Sequence, residues 1–254
     1  MAGVNARGMP RASLVTLVAL LAIAGVCWWY LFDMAADMSA MSAGGSMMLR
    51  EWTPVYFVMM FVMWSVMMVA MMVPSAAPMI LLYRQVARTN RFAQEALGTG
   101  LFCAGYFVLW TLFSLIATTL QWRLEEWALL SPMMRSQSIV LSGVILIGAG
   151  LYQFSSLKQA CLKHCRGPLF FITRHWRPGM SGAFKMGIIH GAYCVGCCWA
   201  FMALLFVGGI MDLLMIAALA VIVLLEKMVP GGEWLAKGVG VTLIALGIVV
   251  IASA

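Results

Sequence analysis

Residues 54–73 form an uncharged run of predominantly apolar side chains. As a helix rising 1.5 Å per residue, such a run is about 30 Å long, the thickness of a bilayer's hydrocarbon core. The pattern recurs at 13–32, 97–121, 137–157 and 186–210, with shorter runs at 213–225 and from 238 to the C-terminus. Charged residues make up only 10% of the chain and hydrophobic ones 64%, too little polar surface for a water-soluble globule. The expected fold is all-α: a polytopic transmembrane helix bundle of about seven spans.

Lys and Arg orient it. With the N-terminus inside, the cytoplasmic segments hold Arg7, Arg11, Arg84, Arg88, Arg91, Lys158, Lys163, Arg166, Arg174, Arg177, Lys185, Lys227 and Lys237. The external segments hold Arg50, Arg123 and Arg135. Such a bias predicts an N-in, C-out chain. The net charge of +7 then faces anionic lipid heads, which excludes nucleic acid as the expected partner. A single membrane domain, 1–254, is expected. Residues 1–53 supply an N-terminal span and a Met-rich external loop, and 54–254 a helix bundle with a polar cytoplasmic loop at 158–185. The first span reads as a retained anchor, with a cleaved signal peptide ending near Ala35–Ala36 as the alternative.

Composition scores sulfur as merely hydrophobic, yet its placement is uneven. Of the 23 Met, seven fall among the fourteen residues 59–72. Met60, Met63, Met67 and Met71 share an arc of about 80° on a helix. Flexible core packing is one reading. The other is a ladder of uncharged thioethers, soft ligands for Cu(I) that carry no charge into lipid. The preceding segment supplies Met34, Met38, Met41, Met47 and Met48 beside Asp33 and Asp37, a soft-metal collecting loop or an interfacial turn. Pro74 and Pro78 then mark either a helix stop or a cytoplasmic mouth.

Cysteine and histidine form two groups. His190, Cys194, Cys197 and Cys198 fall within about 100° of one helical face, and Met186 extends the stripe. Thiolate with imidazole suits Cu(I), with Zn(II) as the alternative. Cys161 and Cys165 share a face at i, i+4 with His164 beside them, in basic surroundings that favour thiolates. His175 is a further loop histidine, while Cys27 and Cys103 read as packing. Ordered along the chain, these parts suggest thioether stations followed by thiolate stations across the membrane.

The stretches Cys161-Leu162-Lys163-His164-Cys165-Arg166-Gly167-Pro168, His190-Gly191, Cys194-Val195-Gly196-Cys197-Cys198-Trp199 and Leu225-Glu226-Lys227 resemble a bacterial family described as predicted metal-binding integral membrane proteins. The run Met71-Met72-Val73-Pro74-Ser75-Ala76-Ala77-Pro78 is similar to it too. The resemblance covers roughly residue 54 to the C-terminus and is most specific at Gly-Cys-Cys-Trp. It implies a multi-pass protein of the bacterial inner membrane with metal binding and no assigned reaction. Copper-uptake proteins with thioether ladders are a looser comparison, in logic rather than fold.

The resulting expectation is a soft-metal protein, with copper as its metal, acting in transport or in delivery to a copper enzyme or a periplasmic or cytoplasmic metallochaperone. One alternative is a non-catalytic subunit of a membrane complex or homo-oligomer, packing through Gly143, Gly148 and Gly150. The other is a thiol oxidoreductase using Cys194 with Cys197 or Cys198. No phosphate loop, hydrolase triad or haem motif supports an enzyme. Asp212 and Glu226 are the carboxylates at helix ends, with Glu226 expected to pair with Lys227 or face the lipid interface.

Overall fold

The computed structural model describes residues 11–43, 51–90, 94–131 and 134–253, without side chains at 39–43. Met47 and Met48, the side chain of Met41, and Arg7, Arg50 and Arg91 of the orientation argument lie outside the described residues. The described residues are all-helical: α1 (Arg11–Ala43), α2 (Pro54–Thr89), α3 (Glu95–Glu126), α4 (Ile139–Tyr152), α5 (Ser156–Arg166), α6 (Pro168–His175), α7 (Met180–Ala203), α8 (Leu205–Gly208), α9 (Leu213–Met228) and α10 (Gly232–Ala252).

Local chemistry sets several starts. Thr53, Ser138, Ser155 and Asp212 each accept a backbone N–H from three residues on, at 3.0–3.2 Å, and Pro54 occupies a first-turn position where no donor is needed. Gly209, at φ +113°, separates α8 from the turn into α9, a conformation that a β-carbon would strain.

Among the described residues, five segments are long and apolar enough to cross a membrane: Arg11–Met38, Pro54–Thr89, Glu95–Glu126, Met180–Gly208 and Gly232–Ala252. A sixth is reached if α4 and α5 count as one bent span. The expected run 137–157 is broken, because α4 ends at Tyr152 and α5 leaves at 63°. At 16 residues, α9 is shorter than any of those five segments.

Three sequence expectations change. The supposed loop from Asp33 onward continues α1 to Ala43, as its alanines and methionines favour, and Met34 and Met38 pack half-buried against the core. Pro74 and Pro78 do not stop α2, which runs through both to Thr89. The supposed polar loop 158–185 contains α5, α6 and the start of α7, and Lys158 is fully buried.

Glycine sets the closest helix contacts. A β-carbon on Gly187 would overlap the Phe102 carbonyl, and one on Gly105 the Phe184 carbonyl, so α3 and α7 meet backbone to backbone. The α4–α10 seam is reciprocal: Gly143 lies against Gly247 and Ile251, and Gly150 against Gly240 and Ile244. Gly143 and Gly150, expected to receive a partner helix, are therefore occupied within the chain. A β-carbon on Gly148 would meet nothing within 4 Å.

Candidate metal centre

Helix α7 is the scaffold. The spacing of His190, Cys194, Cys197 and Cys198 puts all four on its inward side, and all four are buried. Its glycines admit the neighbours. Gly191 takes the α3 backbone at Tyr106, whose hydroxyl lies 3.1 Å from Cys194 Sγ. Gly196 leaves room for α5, since a β-carbon there would lie 2.7 Å from Cys161 Sγ. One turn beyond Cys161, Cys165 comes within 3.9 Å of Cys197, sulfur to sulfur. From the opposite side, α2 brings Met72 Sδ to 3.9 Å from Cys198 Sγ.

The two cysteine groups are therefore one cluster rather than successive stations, because α5 folds back onto α7. The separations have chemical meaning. Two sulfurs bound at about 2.3 Å to one ion, at tetrahedral to trigonal angles, lie about 3.8–4.0 Å apart. Both close sulfur pairs match that spacing. In this state the Cys197 and Cys198 thiols donate to the Cys194 carbonyl, at 3.1 and 2.9 Å. Among the described residues, no group of three His, Cys, Asp or Glu side chains is arranged to hold an ion. Loading would need Cys197 and Cys198 to leave that carbonyl.

Charge enters from α9. Lys227 Nζ donates to Cys194 Sγ at 3.1 Å and to Ser75 Oγ at 3.0 Å. Its neighbour Glu226 faces elsewhere and accepts from Lys158 Nζ at 2.8 and 3.1 Å. Lys158 also donates to Gln153 and lies 4.4 Å over the Phe201 ring. This corrects the expected Glu226–Lys227 pairing: successive residues on a helix point about 100° apart and do not face each other. Glu226 balances Lys158, which leaves the Lys227 ammonium beside sulfur.

His190 lies among Phe102, Tyr106 and Phe171, with ring centres 5.9, 5.6 and 5.2 Å away. Its buried Nδ1 has no hydrogen-bond partner among the described residues, a cost of about 1–3 kcal/mol that structural histidines avoid. His164 is turned away from Cys165 by about 100° of helix. It stacks on Tyr193 at 4.0 Å and lies 5.7 Å from His175.

Met60, Met63, Met67 and Met71 are all buried in the core. At the first of them, Gln121 Nε2 donates to Met60 Sδ at 3.8 Å. The same amide donates to Glu125, and its oxygen accepts from Trp64 at 2.8 Å. Trp52 also donates to Glu125. Sequence reasoning chose Met71, whereas the methionine at the thiol cluster is Met72, adjacent in sequence but on another part of the helix face. It also missed Tyr106, Ser75 and Lys227. Only Ser75 and Lys227 carried a signal, as members of the Pro-Ser and Leu-Glu-Lys stretches.

The family model described as PpoB2, copper chaperone, matches residues 61–250. No curated protein and no solved structure matches.

Proposed function

This chain belongs to the PpoB2 copper-chaperone family, and from that premise we propose that it is an integral membrane protein that takes up Cu(I) at its buried sulfur cluster and delivers it to a copper protein. The observation that carries this reading is that Cys165 closes on Cys197 and Met72 on Cys198, with the Lys227 ammonium on Cys194 of the same helix face. Thiolate and thioether are the soft donors that suit Cu(I).

Charge favours the monovalent ion. Cu(I) held by two thiolates carries one negative charge, which the Lys227 ammonium offsets in a buried site. Zn(II) on the same pair would be neutral and would leave Lys227 unbalanced. Buried charges are tolerated when paired and costly when single. A thiolate of Cys198 with the Met72 thioether would hold Cu(I) as a neutral unit; on transfer to it the Cys198 proton passes to one vacated thiolate, and the other stays as the counter-charge of Lys227.

In this reading α4 and α9 complete seven spans in a bacterial inner membrane, with the N-terminus cytoplasmic and the C-terminus outside. The sulfur cluster then lies towards the cytoplasmic side and Met60 towards the outside, with Met63, Met67 and Met71 between them as thioether steps. His190, with its orphaned nitrogen, is a further ligand on the same helix. Copper is the cargo rather than a resident cofactor.

The test is copper analysis of the full chain purified under reducing conditions from copper-replete cells, with competition by a chromophoric Cu(I) chelator. Wild type should retain stoichiometric Cu(I), and Cys165→Ser with Cys197→Ser should lose it. A wild-type chain that yields all its copper to a weak chelator would overturn the proposal.

A further inference from the structure

The chain has three histidines, and all three lie in one aromatic cluster with Phe171 and Tyr193. Phe171, fully buried, separates His190 from the other two, with ring centres 5.2 Å from His190 and 4.8 Å from His175. His164 on α5 and His175 on α6 face each other at 5.7 Å across a ring angle of 65°. Neither is fully buried.

Both rings are held in the same way. His164 Nδ1 lies 2.9 Å from the Ala160 carbonyl, and His175 Nδ1 lies 3.1 Å from the Phe171 carbonyl, each four residues back on its own helix. A carbonyl only accepts, so Nδ1 must carry the hydrogen in both. In the neutral ring the lone pair is then on Nε2, the tautomer that a carbonyl acceptor fixes in metal-binding histidines. Tyr193 stacks on His164 at 4.0 Å and 3° and meets His175 edge-on at 5.9 Å, which fixes the ring planes.

The spacing suits a shared ion. With a metal–nitrogen bond of about 2.0 Å and the ring centre about 1.1 Å beyond the nitrogen, two imidazoles on one ion have centres about 5–6 Å apart. We propose that His164 and His175 form a second metal site, separate from the sulfur cluster, that binds a borderline first-row ion such as Zn(II) or copper through two Nε2 atoms. Water completes the shell, since the pair is partly exposed. The cations Lys163 and Arg174 lie over Phe170 nearby, at 5.5 and 6.0 Å, and oppose retention of a bare cation. The site is built for exchange rather than storage. It does not depend on copper occupying the thiols.

Zn(II), which does not oxidise thiols, is the probe. The full chain in detergent, stripped of metal, is treated with diethylpyrocarbonate with and without zinc, and His164 and His175 are read by peptide mass. Zinc should protect His164 and His175 together. His164→Gln should abolish protection at His175, and His175→Gln should abolish it at His164. Cys165→Ser with Cys197→Ser should leave both protected. Protection of one ring that survives loss of the other would overturn the proposal, as would protection that disappears with the two cysteines.

Discussion

The two ends of the methionine stretch on α2 are built differently. At Met60 the sulfur accepts a hydrogen bond from Gln121, which also satisfies Trp64 and, through Glu125, reaches Trp52. At Met72, about 18 Å along the helix, the neighbours are a thiol and, across Ser75, a buried lysine. Beyond it lies the Lys158–Glu226 pair, with both side chains essentially free of solvent. At the thioether end an amide donates to the sulfur and the carboxylate of Glu125 is held one step away by neutral N–H donors, whereas at the thiol end a lysine ammonium donates to sulfur. A thioether needs no counter-ion, whereas a thiolate buried with its metal does, so the cation stands on sulfur where the donors can ionise.

That contrast sets the size of each expected effect. The largest belongs to the ion pair. Lys158→Ala leaves Glu226 buried and alone and should cost about 3–5 kcal/mol. At the other end, Gln121→Ala strands the Trp64 indole N–H and should cost about 1–3 kcal/mol. Thermal unfolding in one detergent ranks the two, and equal losses would erase the distinction.

Next come the donors. Cys165→Ser with Cys197→Ser removes two ligands and should weaken Cu(I) binding by more than about a hundredfold, beyond what loss of an outer partner does. Lys227→Leu keeps every sulfur, adds none and removes the offsetting charge, for which a loss of about 10–100-fold is expected. Chelator competition reads both variants. A Lys227→Leu protein with wild-type affinity would show that the lysine serves packing alone.

The smallest effect separates the methionines themselves. Met72→Leu and Met60→Leu both conserve volume and should each cost less than about 1.5 kcal/mol of stability. Copper affinity should fall in Met72→Leu and hold in Met60→Leu. Equal affinities in the two variants would make Met72 a packing residue.

Much of the architecture was legible in the chain, because uncharged runs near 20 residues leave a helix few alternatives. The inward side of α7 was legible for a similar reason: four residues at helical spacing share a face whatever surrounds them. Boundaries were harder. The prolines at 74 and 78 argued for a stop, yet α2 continues, and the run 137–157 showed no charge to betray the bend after Tyr152. Lys158 read as a loop residue because its partner Glu226 lies 68 positions away. Met72 rather than Met71 stands against a thiol, since helical spacing defines a face but not which neighbour that face meets.

The sequence alone therefore determined the long apolar helices and the set of soft donors, properties carried by residue type and local period. Only the tertiary structure decided that Cys165 and Cys197 belong to one cluster, that Lys227 rather than Glu226 faces the sulfur, and that His164 turns to His175. Those are long-range choices. They follow from where glycine lets two backbones approach, as at Gly187 and Gly196, and from which buried charge finds its opposite across the bundle.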